Sequence, residues 1–251
     1  MDRLIVQTSC GALYLGGRLH ADPATPALVA MGGIWTPRDF LHELVDAFPD
    51  VSVVIVPLPG MGGSLTRTFD IATITRSLDE GLASLFRETP LVTYGVSTGC
   101  LVTLGLQAPQ IVRQVALEPF FRTAPLWPFH VTAREFLASE PTNRGARVAA
   151  DQIFGIPEAG AVVDRDYRAL LQRLRTPLDV ILGDLPLEPV RSLEDLPSLC
   201  SREDRAALAA HPRVTVHPGP PGSGHDLGIT PDGAQLVRAV LRQALDAVRR
   251  A

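Results

Sequence analysis

The chain has 251 residues, a length that suits one α/β domain or a domain with an insertion, and its content of 46% hydrophobic and 20% charged residues is typical of a globular protein. Its net charge of -4 argues against a general nucleic-acid binder, which would need a basic surface. Three widely spaced cysteines, Cys10, Cys100 and Cys200, suggest neither a disulfide framework nor a zinc site. The sequence has neither a signal-peptide pattern nor an apolar stretch long enough to span a membrane, so we expect a cytoplasmic protein without a membrane partner.

The first third of the chain predicts an alternation of strands and helices. Residues 4–8 and 12–19 look like two strands of a hairpin, and residues 27–31 form a compact apolar strand. Apolar spacing predicts helices over residues 37–48 and 71–87. Between these helices, residues 51–56 are a β-branched run typical of a buried parallel strand, followed by a loop rich in Pro and Gly over residues 57–64.

Residues 90–106 read PLVTYGVSTGCLVTLGL and predict a strand, a sharp turn and a helix, with Ser97 at the turn. Gly95 and Gly99 lie where larger side chains would collide with the strand and the helix. The amide of Thr98 and the positive end of the helix would then favour an anion beside the Ser97 hydroxyl. The pentapeptide alone is a weak signal, because a glycine-flanked serine also occurs in ordinary strand–helix turns.

The next strand is predicted at residues 112–117 and closes at Glu118. Strands that alternate with helices indicate a parallel sheet with helices on both faces, in which ligands lie at the carboxyl ends of the strands. About sixty residues then separate this strand from the one at residues 178–182, and helix-like segments appear around residues 132–138, 147–154 and 165–174. We therefore predict a core formed by residues 1–118 and 177–251, and a helical cap formed by residues 119–176.

Aromatic residues are concentrated at the beginning of the predicted cap, and one more follows the third strand. They are candidates for contact with the substrate, although packing on the sheet is the commoner role of such residues. The candidates are Trp35, Phe120, Phe121, Trp127 and Phe129.

His225 is the best candidate for a general base among the six histidines. After a helix that begins at Ser201, the final strand at residues 214–216 opens into a loop of Gly and Pro that ends on this residue. Such a loop can carry an imidazole back toward Ser97, and acyl transfer to a serine needs a neutral imidazole to accept the hydroxyl proton. A last amphipathic helix is predicted at residues 234–248.

These motifs resemble those of the α/β-hydrolase superfamily over nearly the full length of the chain. The order is a glycine turn after the third strand, a Pro-Gly-x-Gly-x-Ser-like loop after the fourth, Gly-x-Ser-x-Gly after the fifth and a late Gly-His. The resemblance implies an eight-stranded, mostly parallel sheet with helices on both faces and the cap inserted after the sixth strand. It makes Ser97 the nucleophile and His225 the base, with an oxyanion hole formed by the amides of Thr98 and of Gly33 or Ile34. Methionines stand at positions 31 and 61, where relatives usually have histidines, and we expect altered packing with the chemistry retained.

The resemblance leaves the acidic partner of the histidine open. Asp184 is favoured, because family members commonly place an Asp shortly after the strand before the last. Glu118 follows the preceding strand, a position that a minority of the family uses, and Glu188 and Asp195 are further alternatives. Each of these carboxylates could instead cap backbone amides or meet solvent.

The expected function is that of a serine hydrolase, which forms an acyl-enzyme on Ser97 and cleaves an ester, a thioester or a lactone with a mainly apolar acyl or leaving group. The expected partner is a small-molecule substrate, and neither a cofactor nor a metal is implied. The alternatives are a carbon–carbon bond hydrolase, a pathway-specific thioesterase or, from a different class, a ligand-binding protein of the same fold without catalysis.

Overall fold

One sheet of eight strands, in the order β1-β2-β4-β3-β5-β6-β7-β8, organises the computed structural model, which describes residues 2–20, 22–34, 38–58, 69–139, 143–188 and 195–250. The β1–β2 and β2–β4 pairs are antiparallel and the other neighbours are parallel, as predicted. The strands are β1 (Asp2–Thr8), β2 (Gly11–Arg18), β3 (Ala27–Met31), β4 (Ser52–Val56), β5 (Leu91–Val96), β6 (Ile111–Leu117), β7 (Leu178–Leu182) and β8 (Val214–Pro218).

Helices cover both faces of this sheet. They are α1 (Arg38–Ala47), α2 (Ile71–Leu85), α3 (Thr98–Gly105), α4 (Trp127–Ser139), α5 (Arg144–Gln152), α6 (Arg168–Gln172), α7 (Arg202–Ala210) and α8 (Pro231–Arg249). Apolar residues of α1 and α8 pack on one face, and those of α2 and α3 pack on the other. Every residue of β3, β4, β5 and β7 is buried, because strands covered on both sides bury both sets of side chains.

Side chains that accept from backbone amides fix where several helices begin. Asp70 accepts a hydrogen bond from the amide of Thr73 at 2.8 Å, and Ser201 accepts one from the amide of Asp204 at 3.1 Å. These caps satisfy amide groups that have no partner in the first turn of a helix. None of the helices in the described part of the chain is long and apolar enough to cross a bilayer.

Helices α4, α5 and α6 lie between β6 and β7 in the chain, within the segment that the sequence predicts as a cap. Buried apolar residues of α4 and α5 belong to the same cluster as Ile34 and Leu58, which follow β3 and β4, whereas Leu171 of α6 belongs to a cluster with Cys100 of α3. Inside the first of these clusters, the ring of Phe154 stacks on Phe120, with centroids 5.3 Å apart. Helices α4 and α5 therefore share one apolar cluster with the residues that follow the carboxyl ends of β3 and β4.

Candidate active site

Ser97 lies between β5 and α3, in the strand–turn–helix that the sequence predicts. Its φ is 54° and its ψ is -118°, a conformation that a residue other than glycine adopts only when its surroundings hold it there. The amide of Ser97 donates to the Leu117 carbonyl at 2.9 Å, and its carbonyl accepts from the Cys100 amide at 2.9 Å. Ser97 is thus held through its backbone, at the carboxyl end of β5 and beside the end of β6.

The two glycines around Ser97 lie at close contacts between backbones. A Cβ atom on Gly95 would stand 2.4 Å from the Gly99 carbonyl oxygen, and one on Gly99 would stand 2.4 Å from that of Met31. Neither position has room for a side chain, so α3 can lie directly against β5 and against the end of β3. The chain that continues from β3 through Gly33 therefore starts beside the first turn of α3, where Thr98 is 1% exposed.

Glu118 directly follows β6 and is completely buried, and its φ of 57° is also unusual for a residue other than glycine. Its Oε1 accepts a short hydrogen bond from the Gly183 amide, at the end of β7, and its Oε2 accepts one from the Leu199 amide at 3.1 Å. The Nδ1 atom of His225 lies 3.4 Å from the same Oε2. Two backbone donors therefore offset the cost of burying this carboxylate and fix the direction in which it faces.

His225 lies in the loop that follows β8, and its side chain is 26% exposed. Its amide donates to the Leu196 carbonyl at 2.8 Å, which fixes the backbone of the loop. Because Nδ1 faces Glu118, the opposite ring nitrogen, Nε2, points away from the carboxylate. This is the arrangement in which a carboxylate holds a neutral imidazole with Nε2 able to accept a proton.

The structure brings Glu118 to His225, whereas Asp184 and Glu188 accept hydrogen bonds from backbone amides. Asp184, which the sequence favoured, is exposed, and its Oδ2 accepts from the Gly222 amide at 3.0 Å. Glu188 accepts from the Arg202 amide at 3.0 Å, and Asp195 is exposed. Asp184 and Glu188 thus cap loop and helix amides, the alternative role that the sequence left open for them.

Two buried thiols lie in the electrostatic field of Glu118. Burial raises the pKa of Cys100 and of Cys200 well above the ordinary value, and the negative charge of Glu118 raises both pKa values further. The Sγ of Cys100 donates to the carbonyls of Gly95 and Leu117 at 3.1 and 3.2 Å. Both thiols are therefore protonated at neutral pH and are poor nucleophiles.

The aromatic residues that the sequence predicts to contact substrate occupy different places. Phe120 and Phe121 are buried, at 0% and 1% exposure, and belong to two separate apolar clusters. Phe129 is partly buried, and its ring centroid lies 4.9 Å from that of Phe154. Trp35, the side chain of Trp127 and the predicted loop at residues 59–64 lie outside the described part of the chain.

The comparison with protein families decides the classification. The sequence profile of the α/β hydrolase family matches residues 19–239 of the chain. The chain belongs to the α/β hydrolase family. No curated protein sequence matches it.

Solved structures share the fold of this α/β hydrolase at low sequence identity. An enol-lactonase from Burkholderia xenovorans superposes with a TM-score of 0.68 and 16% identity, over 97% of this chain and 100% of its own. An esterase from Thermogutta terrifontis gives 0.65 and 16%, over 99% and 100%. A proline iminopeptidase from Mycobacterium smegmatis gives 0.68 and 13%, over 99% of both chains. At such identities the likeness concerns the fold, and the substrate has to be argued from the site.

Proposed function

We propose that this α/β hydrolase is a serine hydrolase that cleaves an ester, a thioester or a lactone through an acyl-enzyme on Ser97, with His225 as the base and Glu118 as its acidic partner. The observation that carries the proposal is the buried Glu118 carboxylate facing Nδ1 of His225. This pair lies at the edge of the sheet where the strained turn of Ser97 also lies.

The topology supports these roles. Ser97 and Glu118 follow β5 and β6, which are paired up to Val96 and Leu117, and the Ser97 amide is bonded to the Leu117 carbonyl. The loop of His225 follows β8, in the same parallel part of the sheet. Nucleophile, base and acid thus come from the carboxyl ends of three strands, where ligands bind in open α/β sheets.

In the proposed reaction, Nε2 of His225 takes the hydroxyl proton of Ser97 as Oγ attacks the carbonyl carbon of the substrate. The amide of Thr98, together with that of Gly33 or Ile34, stabilises the oxyanion of the tetrahedral intermediate. The protonated imidazole then gives its proton to the leaving oxygen or sulfur, which departs and leaves an acyl group on Ser97. A water molecule, deprotonated by the same imidazole, releases the acid by the reverse sequence.

Glu118 supports each of these proton transfers without becoming protonated. Its carboxylate holds the imidazole in the tautomer that leaves Nε2 free and stabilises the imidazolium that forms in the transition state. The amides of Gly183 and Leu199 occupy further lone pairs of the carboxylate, so the group is oriented before the substrate arrives.

The substrate class rests on two supporting observations. The segment between β6 and β7 carries a continuous apolar cluster that reaches Ile34, next to one proposed oxyanion donor. An esterase and an enol-lactonase are among the proteins that share the fold. An acyl or leaving group of mainly apolar character fits these observations.

The experiment is a hydrolysis panel of p-nitrophenyl esters of increasing acyl length, an acyl thioester and a γ-lactone. The wild type is compared with Ser97→Ala and with Ser139→Ala, which removes an exposed serine of α4. We expect Ser97→Ala to lower kcat/KM by about 10³-fold or more and Ser139→Ala to leave it unchanged. Unaltered turnover in Ser97→Ala would refute the proposal. Saturable binding without turnover in the wild type would instead indicate a ligand-binding protein.

A further inference from the structure

One short segment contacts both members of the proposed acid–base pair. At its first residue, the Leu196 carbonyl accepts the amide of His225 at 2.8 Å. Three residues later, the Leu199 amide donates to Oε2 of Glu118 at 3.1 Å. Residues 196–199, here called the bridging segment, thus hold the backbone of the histidine at one end and the carboxylate at the other.

The bridging segment is itself fixed in several ways. Leu196 has a φ of 41°, and Pro197, which follows it, has a restricted φ of its own. The amide of Ser198 donates to the Leu185 carbonyl at 3.0 Å, and the Leu185 amide donates to the Ser223 carbonyl at 2.7 Å. The segment is therefore tied to the histidine loop by a second route, and it cannot shift without moving that loop.

Leu196 carries an unusual combination of features. It is a leucine in the left-handed region, which costs a residue other than glycine free energy, and its side chain is 45% exposed. Burial of an apolar side chain does not explain why the strain is kept. The contact that the strained backbone does make is the hydrogen bond from the amide of His225.

Glycines allow the close approach between the bridging segment, the histidine loop and the end of β7. A Cβ atom on Gly224, the residue before His225, would lie 1.7 Å from the Leu196 carbonyl oxygen. One on Gly183, whose amide donates to Glu118, would lie 2.7 Å from the Gly224 carbonyl oxygen. Any side chain at position 224 would therefore push the segment away from the histidine.

We infer that the bridging segment positions the general base, by setting the distance and the angle between His225 and Glu118 through its backbone. The inference rests on the proposed function. It adds positioning groups that are backbone atoms of residues 196 and 199, beside the amide of Gly183. The Nδ1–Oε2 distance of 3.4 Å is long for a charge-assisted hydrogen bond, so a displacement of either group weakens the pair further.

The test compares two substitutions at the segment with a matched glycine substitution in the same loop. Gly224→Ala forces the Leu196 carbonyl away from the loop, and Pro197→Gly loosens the segment without a clash. The control is Gly222→Asn, because Gly222 has a φ of 74° with nothing within 4 Å of an added Cβ, and Asn tolerates that conformation. Each variant is assayed for kcat, KM and the rate at which a fluorophosphonate labels Ser97, with its melting temperature measured in parallel.

We expect Gly224→Ala to lower kcat and the labelling rate by about 10²-fold and Pro197→Gly to lower them by about tenfold, with KM changed less than threefold. We expect the wild type to show the low-field proton NMR signal of an Nδ1–H bonded to a carboxylate, and we expect this signal to weaken in both variants. Gly222→Asn should retain the wild-type values. If Gly224→Ala does not fold, the result for Pro197→Gly alone tests the positioning role of the bridging segment.

The two hypotheses fail in different ways. A folded Pro197→Gly variant with wild-type kcat, labelling rate and NMR signal would overturn the positioning role while Ser97 remained reactive. If Gly224→Ala and Pro197→Gly both lower the melting temperature but keep the wild-type kcat, the bridging segment has a structural role only. A wild type that is not labelled at Ser97 would instead overturn the proposed function.

Discussion

Among the described residues, two buried carboxylates face histidines, and they differ in their position on the sheet. In one pair Glu118 faces Nδ1 of His225 at 3.4 Å, and in the other Asp179 faces Nε2 of His217 at 2.9 Å. The shorter contact is that of Asp179 and His217, which both lie within strands of the sheet. Distance alone would therefore favour the Asp179 pair over the pair in the proposed site.

The Asp179 pair has the surroundings of a structural ion cluster. Asp179 lies within β7, His217 in β8 and Arg113 in β6, and Arg113 Nε donates to Asp179 at 2.7 Å. By strand alternation these side chains share the face on which Ile181 packs against α8. The cluster joins β6, β7 and β8, the last three strands of the sheet. Asp179 contacts Nε2 of His217, the ring nitrogen that would have to be free in acyl transfer.

The Glu118 pair differs in each of these respects. It lies beyond the ends of the strands, its carboxylate is held by backbone amides, and the residue that carries the carboxylate is strained. A buried carboxylate–histidine pair therefore indicates a candidate catalytic site only when it lies at the carboxyl ends of the strands, where ligands bind. Pairs of mutants can test the distinction.

The largest contrast is expected between the two histidines. His225→Gln should lower kcat/KM for the best ester of the panel by about 10⁴-fold, because it removes the proposed general base. His217→Gln should change it less than threefold. Steady-state kinetics on both purified variants provides the measurement. An equal loss of activity in the two variants would contradict the assignment of different roles to His225 and His217.

The two carboxylates should separate activity from stability. Glu118→Gln should lower kcat/KM by about 10³-fold, because a glutamine no longer fixes the imidazole tautomer. Asp179→Asn should keep near wild-type activity but lower the free energy of unfolding by about 2 kcal/mol, since it leaves Arg113 and His217 without their partly buried charge partner. Urea unfolding and kinetics on both variants provide the check.

The stability difference at Asp179 should depend on pH. Burial raises the pKa of Asp179, but hydrogen bonds from His217 and Arg113 outweigh burial and hold it below the ordinary value of 3.8. A carboxyl whose pKa is lower in the folded than in the unfolded state contributes stability above its unfolded pKa and loses it as the pH falls through the folded pKa. The gap between wild type and Asp179→Asn in urea unfolding should therefore be complete at pH 6 and shrink below pH of about 3.8. A gap that grows with acidity would contradict this assignment.

The smallest effect is expected at the acid that the sequence favoured. Asp184→Asn should change kcat/KM less than threefold, because the asparagine oxygen can still accept the Gly222 amide. A loss comparable to that of Glu118→Gln would move the role of the acid back to Asp184.

Most of the fold was predictable from local sequence pattern. The predicted bounds of β3 and β7 match those of the structure, because a proline directly precedes each strand and a glycine directly follows it. Helix α8 begins at Pro231, three residues before the predicted start, because Thr230 caps it and Pro suits a first turn. Helix α6 spans five residues only, because Arg165 and Asp166 pair instead with the chain around Arg122 and Thr123.

Short sequence motifs were enough to select candidate residues of the site where such motifs exist. The sequence left the choice of the acid open, because that choice depends on a long-range contact. Ser97 and His225 each stand in a local pattern of glycines. The contact between Glu118 and His225 joins residues 107 positions apart, and spacing in sequence could not rank it above Asp184. The contributions of Leu196 and Leu199 come from backbone atoms, which leave no trace in residue type.

The most direct test of the central claim is active-site labelling with a fluorophosphonate, read by intact mass and peptide mapping on the wild type, Ser97→Ala, Glu118→Gln and Asp184→Asn. We expect one label per chain on Ser97, none on Ser97→Ala, labelling slowed by about 10²-fold or more in Glu118→Gln and a wild-type rate in Asp184→Asn. A folded wild type that takes up no label at Ser97, or a Glu118→Gln variant labelled as fast as the wild type, would contradict it.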